Sequence, residues 1–370
     1  MDSSRICYLS RIKFIKKSLN LQTFAYTMKM KQQQVTIKDI ALEVGMSTST
    51  VSRALSDHEH ISEETKARVN EAVQKLGYRY NALAAALRNS KSNTIGLIVP
   101  RISMFFQAAV ITAIQNTLHK YGYSVIICQS NEDPEQEKKL VSLLHASRVE
   151  GIIVSCSIKT EDFSHFDDSV GSEIPIIFYD RVPNNYPAHK IKGDEYHGAY
   201  LSTVHLIEQG CKHIAHIGGP LSCNQYQERF DGYKDALKKH NMPFDSSMTF
   251  FHELNKENAM NTCDLIFKRD QVPDGIFASN DTTALAIIEF AKKNNLAIPG
   301  ALKIVGYSND NRTDISYPTV TSVEQFPHEM GEQAANLMMD LIQKRVNPGR
   351  SFISLTTPVE LVKRASSAVK

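Results

Sequence analysis

Residues Val35–Ser56 read VTIKDIALEVGMSTSTVSRALS. Thr36, followed three positions later by Asp39, is a capping-box-like start. Ile37, Ile40, Ala41 and Val44 then recur at helical spacing. Gly45 breaks that helix. Ser47 caps a second one, whose apolar positions are Val51, Ala54 and Leu55. Helix, glycine-containing turn, helix is the helix-turn-helix arrangement. The second helix opens on hydroxyl side chains (Ser47, Thr48, Ser49, Thr50) and continues through Ser52 and Arg53. Short hydroxyls let a helix approach DNA closely, donate to phosphates and touch base edges, and Arg53 is long enough for a guanine edge or a phosphate. A Ser/Thr run alone describes a capped helix start equally well, so its neighbours must decide.

Downstream, Ser62 caps a third helix with Glu63 and Glu64 in its first turn, where the helix dipole favours negative charge. Val69, Val73 and Leu76 share a face, and Gly77 stops it. Asn81–Arg88 forms a fourth, Ala-rich helix. After Ser92 the pattern changes to alternating strands and helices. The apolar runs Ile95–Val99, Ser124–Cys128, Gly151–Val154, Ile174–Phe178, His213–Ile217, Gly275–Ala278 and Leu302–Val305 read as strands. Amphipathic helices such as Ala108–Tyr121 and Thr282–Asn294 lie between them. Near-continuous apolar strands separated by helices imply parallel sheets covered on both faces, and their number exceeds one doubly wound sheet. The predicted class is therefore α/β: a helical headpiece, then a core of two similar lobes. No GxGxxG follows the first strand, so a dinucleotide site has no support.

Composition fits this plan. The 370 residues suit two or three domains, and 42% hydrophobic with 22% charged residues is globular. Net charge is only +2, but it is unevenly placed: residues 1–91 hold 15 Lys and Arg against 8 Asp and Glu, and the remainder 27 against 32. A positive front and a mildly negative back are expected when only the front meets nucleic acid. Seven of those front cations lie in the first 31 residues. Residues 1–34 form a basic extension. It reads either as an arm touching phosphates or, the preferred reading, as residues ahead of a natural start at Met28 or Met30. The six cysteines (Cys7, Cys128, Cys156, Cys211, Cys223, Cys263) contain no CxxC pair. This spacing excludes a disulfide framework or zinc site and predicts buried thiols in a reducing compartment. No apolar run approaches a membrane span, and Asn20, Gln22 and Thr23 break the only segment resembling a leader. The expected location is the cytoplasm. No metal-ligand spacing, Gly-x-Ser-x-Gly or Ser/His/Asp order appears, so no catalytic residue, metal or cofactor is assigned and the chain reads as a non-enzyme.

Val35–Ser56, together with LGYRYNALAAAL from Leu76 to Leu87, resembles the lactose-repressor (LacI/GalR) family of bacterial transcription regulators. The resemblance extends from about Val35 to Arg364. It implies a helix-turn-helix domain with hinge helix over residues 35–91, and a periplasmic-binding-protein-like effector and dimerisation domain over 92–370. Lobe one of that domain would comprise about 92–190 and 325–350, and lobe two about 191–324 and 351–365. DNA contact is implied for Thr36, Ser47, Thr48, Ser49, Thr50, Ser52, Arg53, Tyr78, Asn81, Ala84, Leu87 and Arg88. Leu87 matches the leucine that wedges into the minor groove, and such wedging kinks a duplex. Tyr80 departs from the proline that often precedes the hinge asparagine.

Effector contact is implied for Phe105, Phe106, Asp180, Arg181, Arg229, Asn280, Ser308 and Asn309. Arg229 matches the ligand-gripping arginine, whose fork suits vicinal hydroxyls or a carboxylate. Asn280 matches a hydroxyl-binding asparagine. Ser308 stands where aspartate is usual. The alternatives are a surface ion pair for Arg229 and core packing for the two phenylalanines. The partners implied are a palindromic double-stranded operator, a second copy of the chain and a small-molecule effector, a sugar or sugar derivative ahead of a purine. The action implied is repression. A solute receptor would leave residues 35–88 without a role.

Overall fold

The computed structural model describes residues 35–78, 92–167, 174–345 and 352–368. The chain divides into two compact units, one up to Ala85 and one from Ala86.

In the first unit, α1 (Ile37–Val44), α2 (Thr48–Leu55) and α3 (Glu63–Leu76) pack around Ile40, Val51 and Val69, all fully buried. Asp39 accepts from both the Thr36 amide and hydroxyl at 2.7 Å, which fixes the start of α1. Gly45 ends α1 at φ +68°, a left-handed conformation that glycine adopts without penalty. The Ser47 hydroxyl accepts from the Thr50 amide at 3.1 Å and so caps α2. Arg68 of α3 donates to the Val44 carbonyl at 3.1 Å, satisfying a terminal carbonyl of α1.

The second unit holds two six-stranded sheets. The first contains β1 (Thr94–Val99), β2 (Ser124–Gln129), β3 (Gly151–Val154), β4 (Ile176–Tyr179), β5 (His189–Gly193) and β11 (Ser354–Thr357), in the order β11-β5-β4-β3-β1-β2. The second contains β6 (Ile214–Gly218), β7 (Thr249–Phe251), β8 (Gly275–Ala278), β9 (Lys303–Tyr307), β10 (Thr321–Glu324) and β12 (Glu360–Val362), in the order β12-β10-β9-β8-β6-β7. All pairings are parallel except β10 with β12. Each sheet buries an apolar cluster on both faces, as its continuous apolar strands require. The helices are α4 (Phe105–Lys120), α5 (Pro134–Ala146), α6 (Glu195–Glu208), α7 (Asn224–Lys239), α8 (Lys256–Ile266), α9 (Asp281–Lys293), α10 (Arg312–Ile315) and α11 (Pro327–Ile342). In lobe two, α7 lies so close to α6 that a side chain at Gly232 would strike the Tyr196 carbonyl.

Three crossings join the lobes: after Gly193, after Glu324, and between Thr357 and Glu360. Two details depart from the sequence reading. β5 carries lobe one on to Gly193 rather than 190. Residues 354–357, assigned from sequence to lobe two, pair with β5 in lobe one through Ser354 opposite Lys190 and Thr357 opposite Gly193. Strands β5, β7, β10, β11 and β12 were not predicted. Most alternate or carry polar residues, so nothing local marks them.

Candidate functional site

Two regions hold the residues singled out from sequence, one in each unit.

On the headpiece, α2 turns Val51 and Ala54 inward while Thr48, Ser49 and Arg53 are exposed. A helix with an apolar inner stripe and a polar outer one can lie in a groove without disturbing its own packing. Ser47 is exposed but occupied: its hydroxyl caps the helix and lies 2.7 Å from that of Ser49 and 2.8 Å from that of Thr50. Thr36 is likewise engaged in its cap with Asp39. Ser52 and Tyr78 are half-buried, Tyr78 against the headpiece core. Asn81, Ala84, Leu87 and Arg88 lie outside the described residues.

In the core, Asp180 and Arg181 follow β4, and both are buried. Asp180 sits at φ +59° and accepts from Gln107 Nε2 at 3.0 Å and Ser155 Oγ at 3.4 Å. Burial pushes its carboxyl up to about 6. Arg181 donates from Nη1 to both carboxylate oxygens of Glu132, at 2.9 and 2.7 Å. Across the cleft, Arg229 is 3% exposed and gives Nε to Glu195 Oε2 at 2.7 Å and Nη1 to the Ser279 carbonyl at 2.6 Å. Its guanidinium lies 3.6 Å from the centroid of the Tyr307 ring. The ion-pair alternative is thus correct in kind and wrong in place: the pair is buried. Glu195 also accepts from Gln325 Nε2 at 3.2 Å, and Gln325 accepts from Ser308 Oγ at 2.7 Å. Glu195 follows the first crossing and Gln325 stands at the second, so Arg229 is wired into the hinge between lobes.

Other predicted effector residues separate. Phe105 and Phe106 open α4, which begins three residues ahead of the predicted start at Ala108. Phe105 is 37% exposed, whereas Phe106 packs in the lobe-one core and is no free stacking surface. Adjacent helical positions point about 100° apart, which sends one ring outward and one inward. Asn280 is the N-cap of α9: Oδ1 accepts from the Thr283 amide at 2.8 Å and Nδ2 donates to the Leu254 carbonyl at 3.1 Å. Its expected double role toward a hydroxyl is therefore largely taken. Asn309 donates to Glu324 Oε2 at 2.7 Å and keeps a buried, unpartnered Oδ1.

The sequence reading missed residues at the same junction. Asn224 and Gln225, in the first turn of α7, are each 4% exposed. Cys223, Tyr226 and Leu254 of lobe two pack against Ile158 of lobe one, and Asn224 Oδ1 accepts from the Val182 amide at 3.0 Å. The lobes therefore touch. Of the twelve buried polar atoms without a partner among the described residues, five lie on segments at or beside this junction: Arg181 Nε, Asn224 Nδ2, Gln225 Oε1, Ser279 Oγ and Asn309 Oδ1. The signal available in sequence was the offset of three to four residues linking Gln225, Tyr226 and Arg229 on one helix face. Among the described residues no group of His, Cys, Asp and Glu could hold a metal, and no helix is long and apolar enough to cross a membrane. The five described cysteines are all buried.

A helix-turn-helix unit joined in one chain to a two-lobed core with unfilled polar groups between the lobes defines a ligand-responsive DNA-binding regulator. The profile "Bacterial regulatory proteins, lacI family" matches residues 36–81, and "Periplasmic binding protein-like domain" matches residues 203–367. The HTH-type transcriptional repressor PurR of Vibrio atlanticus (strain LGP32) is 31% identical over 317 residues, covering 86% of this chain and 95% of that protein. Its namesake in Haemophilus influenzae (strain PittEE) is 28% identical over 331 residues, 90% and 98% of the two chains. Among solved structures, the lac repressor dimer bound to operator and the anti-inducer ONPF superposes with TM-score 0.82 at 23% identity, covering 91% and 100%. The CelR–cellobiose complex superposes at 0.68, with 23% identity and coverage of 90% and 99%. These two structures speak to the fold. The chain belongs to the LacI family of DNA-binding transcription regulators.

Proposed function

We propose that the chain is a homodimeric repressor that binds a palindromic operator and is released or retained on it by an uncharged sugar held between the lobes. The observation that carries the effector reading is the set of buried polar atoms left without partners at the lobe junction. Native interiors satisfy such atoms, so an unfilled set marks where a ligand completes the bonding. Donors (Arg181 Nε, Asn224 Nδ2) and acceptors (Gln225 Oε1, Asn309 Oδ1) occur together, which suits hydroxyls, each able to give and accept. Charge supports the same class. Arg181 and Arg229 are neutralised by buried glutamates and Arg101 pairs with Glu253 across the lobes, so none of these three arginines offers an unpaired charge to a phosphate or carboxylate.

On the DNA side, Thr48, Ser49 and Arg53 read base edges, while Thr36, Ser47, Thr50, Ser52 and Tyr78 meet phosphates. Asn81, Ala84, Leu87 and Arg88 serve the hinge, with Leu87 as wedge. Two headpieces, one per subunit, would read paired half-sites. Action on an operator places the protein in the cytoplasm, as a regulator rather than an enzyme. Ligand contact to Arg229 or Ser308 bears on Glu195 and Gln325, both at crossings. A ligand bridging the lobes thereby favours one lobe angle, and only such differential contact shifts an equilibrium.

The test is operator selection from random duplexes, followed by anisotropy titration with sugars and with hypoxanthine and guanine. Recovery of a palindrome with a sugar-dependent change in affinity is expected. Recovery of no preferred sequence refutes the DNA reading, and response to purines alone refutes the sugar.

A further inference from the structure

Beside the lobe junction lies an open cavity of about 570 Å3. Its walls come from the segment after β3 (Thr160–Ser164, with Asp167), the segment after β4 (Val182, Asn184–Tyr186), and Ser222 and Asn224 of lobe two. Asp180, Arg181, Arg229 and Asn280 do not line it. The two regions meet at Asn224, which precedes Gln225 on α7.

Three properties of the lining bear on an occupant. Phe163 and Tyr186 are both partly buried, with ring centroids 6.2 Å apart and planes tilted by 41°, so they form an aromatic corner. Glu161, Asp162 and Asp167 supply carboxylates, and no Lys or Arg is among the lining residues. Asp167 accepts the Tyr186 hydroxyl at 2.8 Å, and Asp162 accepts the Ser164 amide and hydroxyl, each at 2.9 Å. Finally, Asn224 is 4% exposed and its Nδ2 has no partner, while its Oδ1 is spent on Val182. That donor is closed off from solvent and belongs to the inter-lobe set, so Asn224 ties the cavity to the effector site between the lobes.

We propose that this cavity is a second-ring subsite: it takes a further uncharged sugar ring, so that the effector is a disaccharide or longer glycoside. The inference rests on the sugar reading above. An aromatic corner accepts the apolar face of a sugar ring, carboxylates and amides accept and donate to its hydroxyls, and the volume suits a small-molecule site. The lining carboxylates outnumber the cations beside them (Lys138 near Asp162, and Lys190 donating to the Asn184 carbonyl at 3.1 Å), which disfavours a uronate or a phosphate.

The experiment is calorimetric titration of the full chain with glucose, galactose and N-acetylglucosamine, with cellobiose, maltose, lactose and chitobiose, with cellobiouronic acid, and with hypoxanthine. A disaccharide is expected to bind about tenfold or more tighter than its own monosaccharide, the value of one stacked ring and one or two hydrogen bonds. Cellobiouronic acid is expected to bind more weakly than cellobiose. Ser222→Trp, which fills the cavity from an exposed position, is expected to abolish the disaccharide advantage and leave the monosaccharide constant unchanged. Asn185→Ala, a milder change at an exposed lining residue, is expected to reduce the same advantage. Monosaccharide binding with no disaccharide gain, or a gain that survives Ser222→Trp, overturns the subsite and leaves the sugar reading standing. Binding of hypoxanthine with none of the sugars, or of no compound in the series, overturns both.

Discussion

Replacing Arg229 by alanine should weaken the fold as well as the response to ligand. Arg229 and Glu195 are 3% and 0% exposed at the side chain and meet at 2.7 Å. Deleting the guanidinium leaves the Glu195 carboxylate buried, with the Gln325 amide still donating to it but no cation beside it. Breaking a buried pair from one side costs about 3–5 kcal/mol, because the surviving charge keeps its desolvation penalty. The lost contact with the Tyr307 ring and the bond to the Ser279 carbonyl act in the same direction. In a domain of this size each kcal/mol moves Tm by about 2–4 °C, so a fall on the order of 6–20 °C is expected. Scanning calorimetry of the full chain measures it. Anisotropy on the selected operator, at a temperature where both proteins are folded, measures the response. Adding Glu195→Gln to Arg229→Ala should recover part of the loss, since it removes the stranded charge while keeping an acceptor. If Arg229→Ala melts within about 2 °C of the parent and loses only the ligand response, the pair does not support the fold and Arg229 serves the ligand alone.

Arg53→Ala should cost about 1–3 kcal/mol of operator affinity and relax preference at one half-site position; an equal loss on every sequence, measured by competition anisotropy, would make Arg53 a phosphate contact. Leu87→Ala should weaken operator binding and reduce bending in a circular-permutation gel assay, and unchanged values of both refute the wedge. His216 is fully buried between the rings of Tyr233 and Phe277. Burial pushes its pKa down to about 3, below the ordinary value of 6.5. The unfolded chain therefore takes up the proton first, and this residue's contribution to stability is present above about pH 6.5 and lost progressively as pH falls toward 3. His216→Phe should raise Tm and flatten that acid limb in melting curves from pH 4 to 7, and a variant with the parent's pH slope would show that other groups set it.

The sequence carries whatever is written in short-range pattern. Helix starts at Thr36, Ser47 and Ser62 and stops at Gly45 and Gly77 were legible because caps and left-handed terminators act within four residues. The apolar strands β1, β3 and β8 were legible because a strand covered on both faces is apolar at almost every position. Lobe membership of Ser354–Thr357 was not, since a polar edge strand takes its sheet from the partner it reaches, in this chain His189–Gly193. Phe105 and Phe106 looked alike as neighbours, and only the packing of α4 on its sheet separates the exposed ring from the buried one. Arg229 was singled out by the family resemblance, but its charge partner is 34 residues away and its carbonyl acceptor 50. Which groups an arginine neutralises, and which buried atoms remain open for a ligand, are decided when distant segments pack together, because desolvation and hydrogen-bond satisfaction depend on everything within a few ångströms and not on neighbours in the chain.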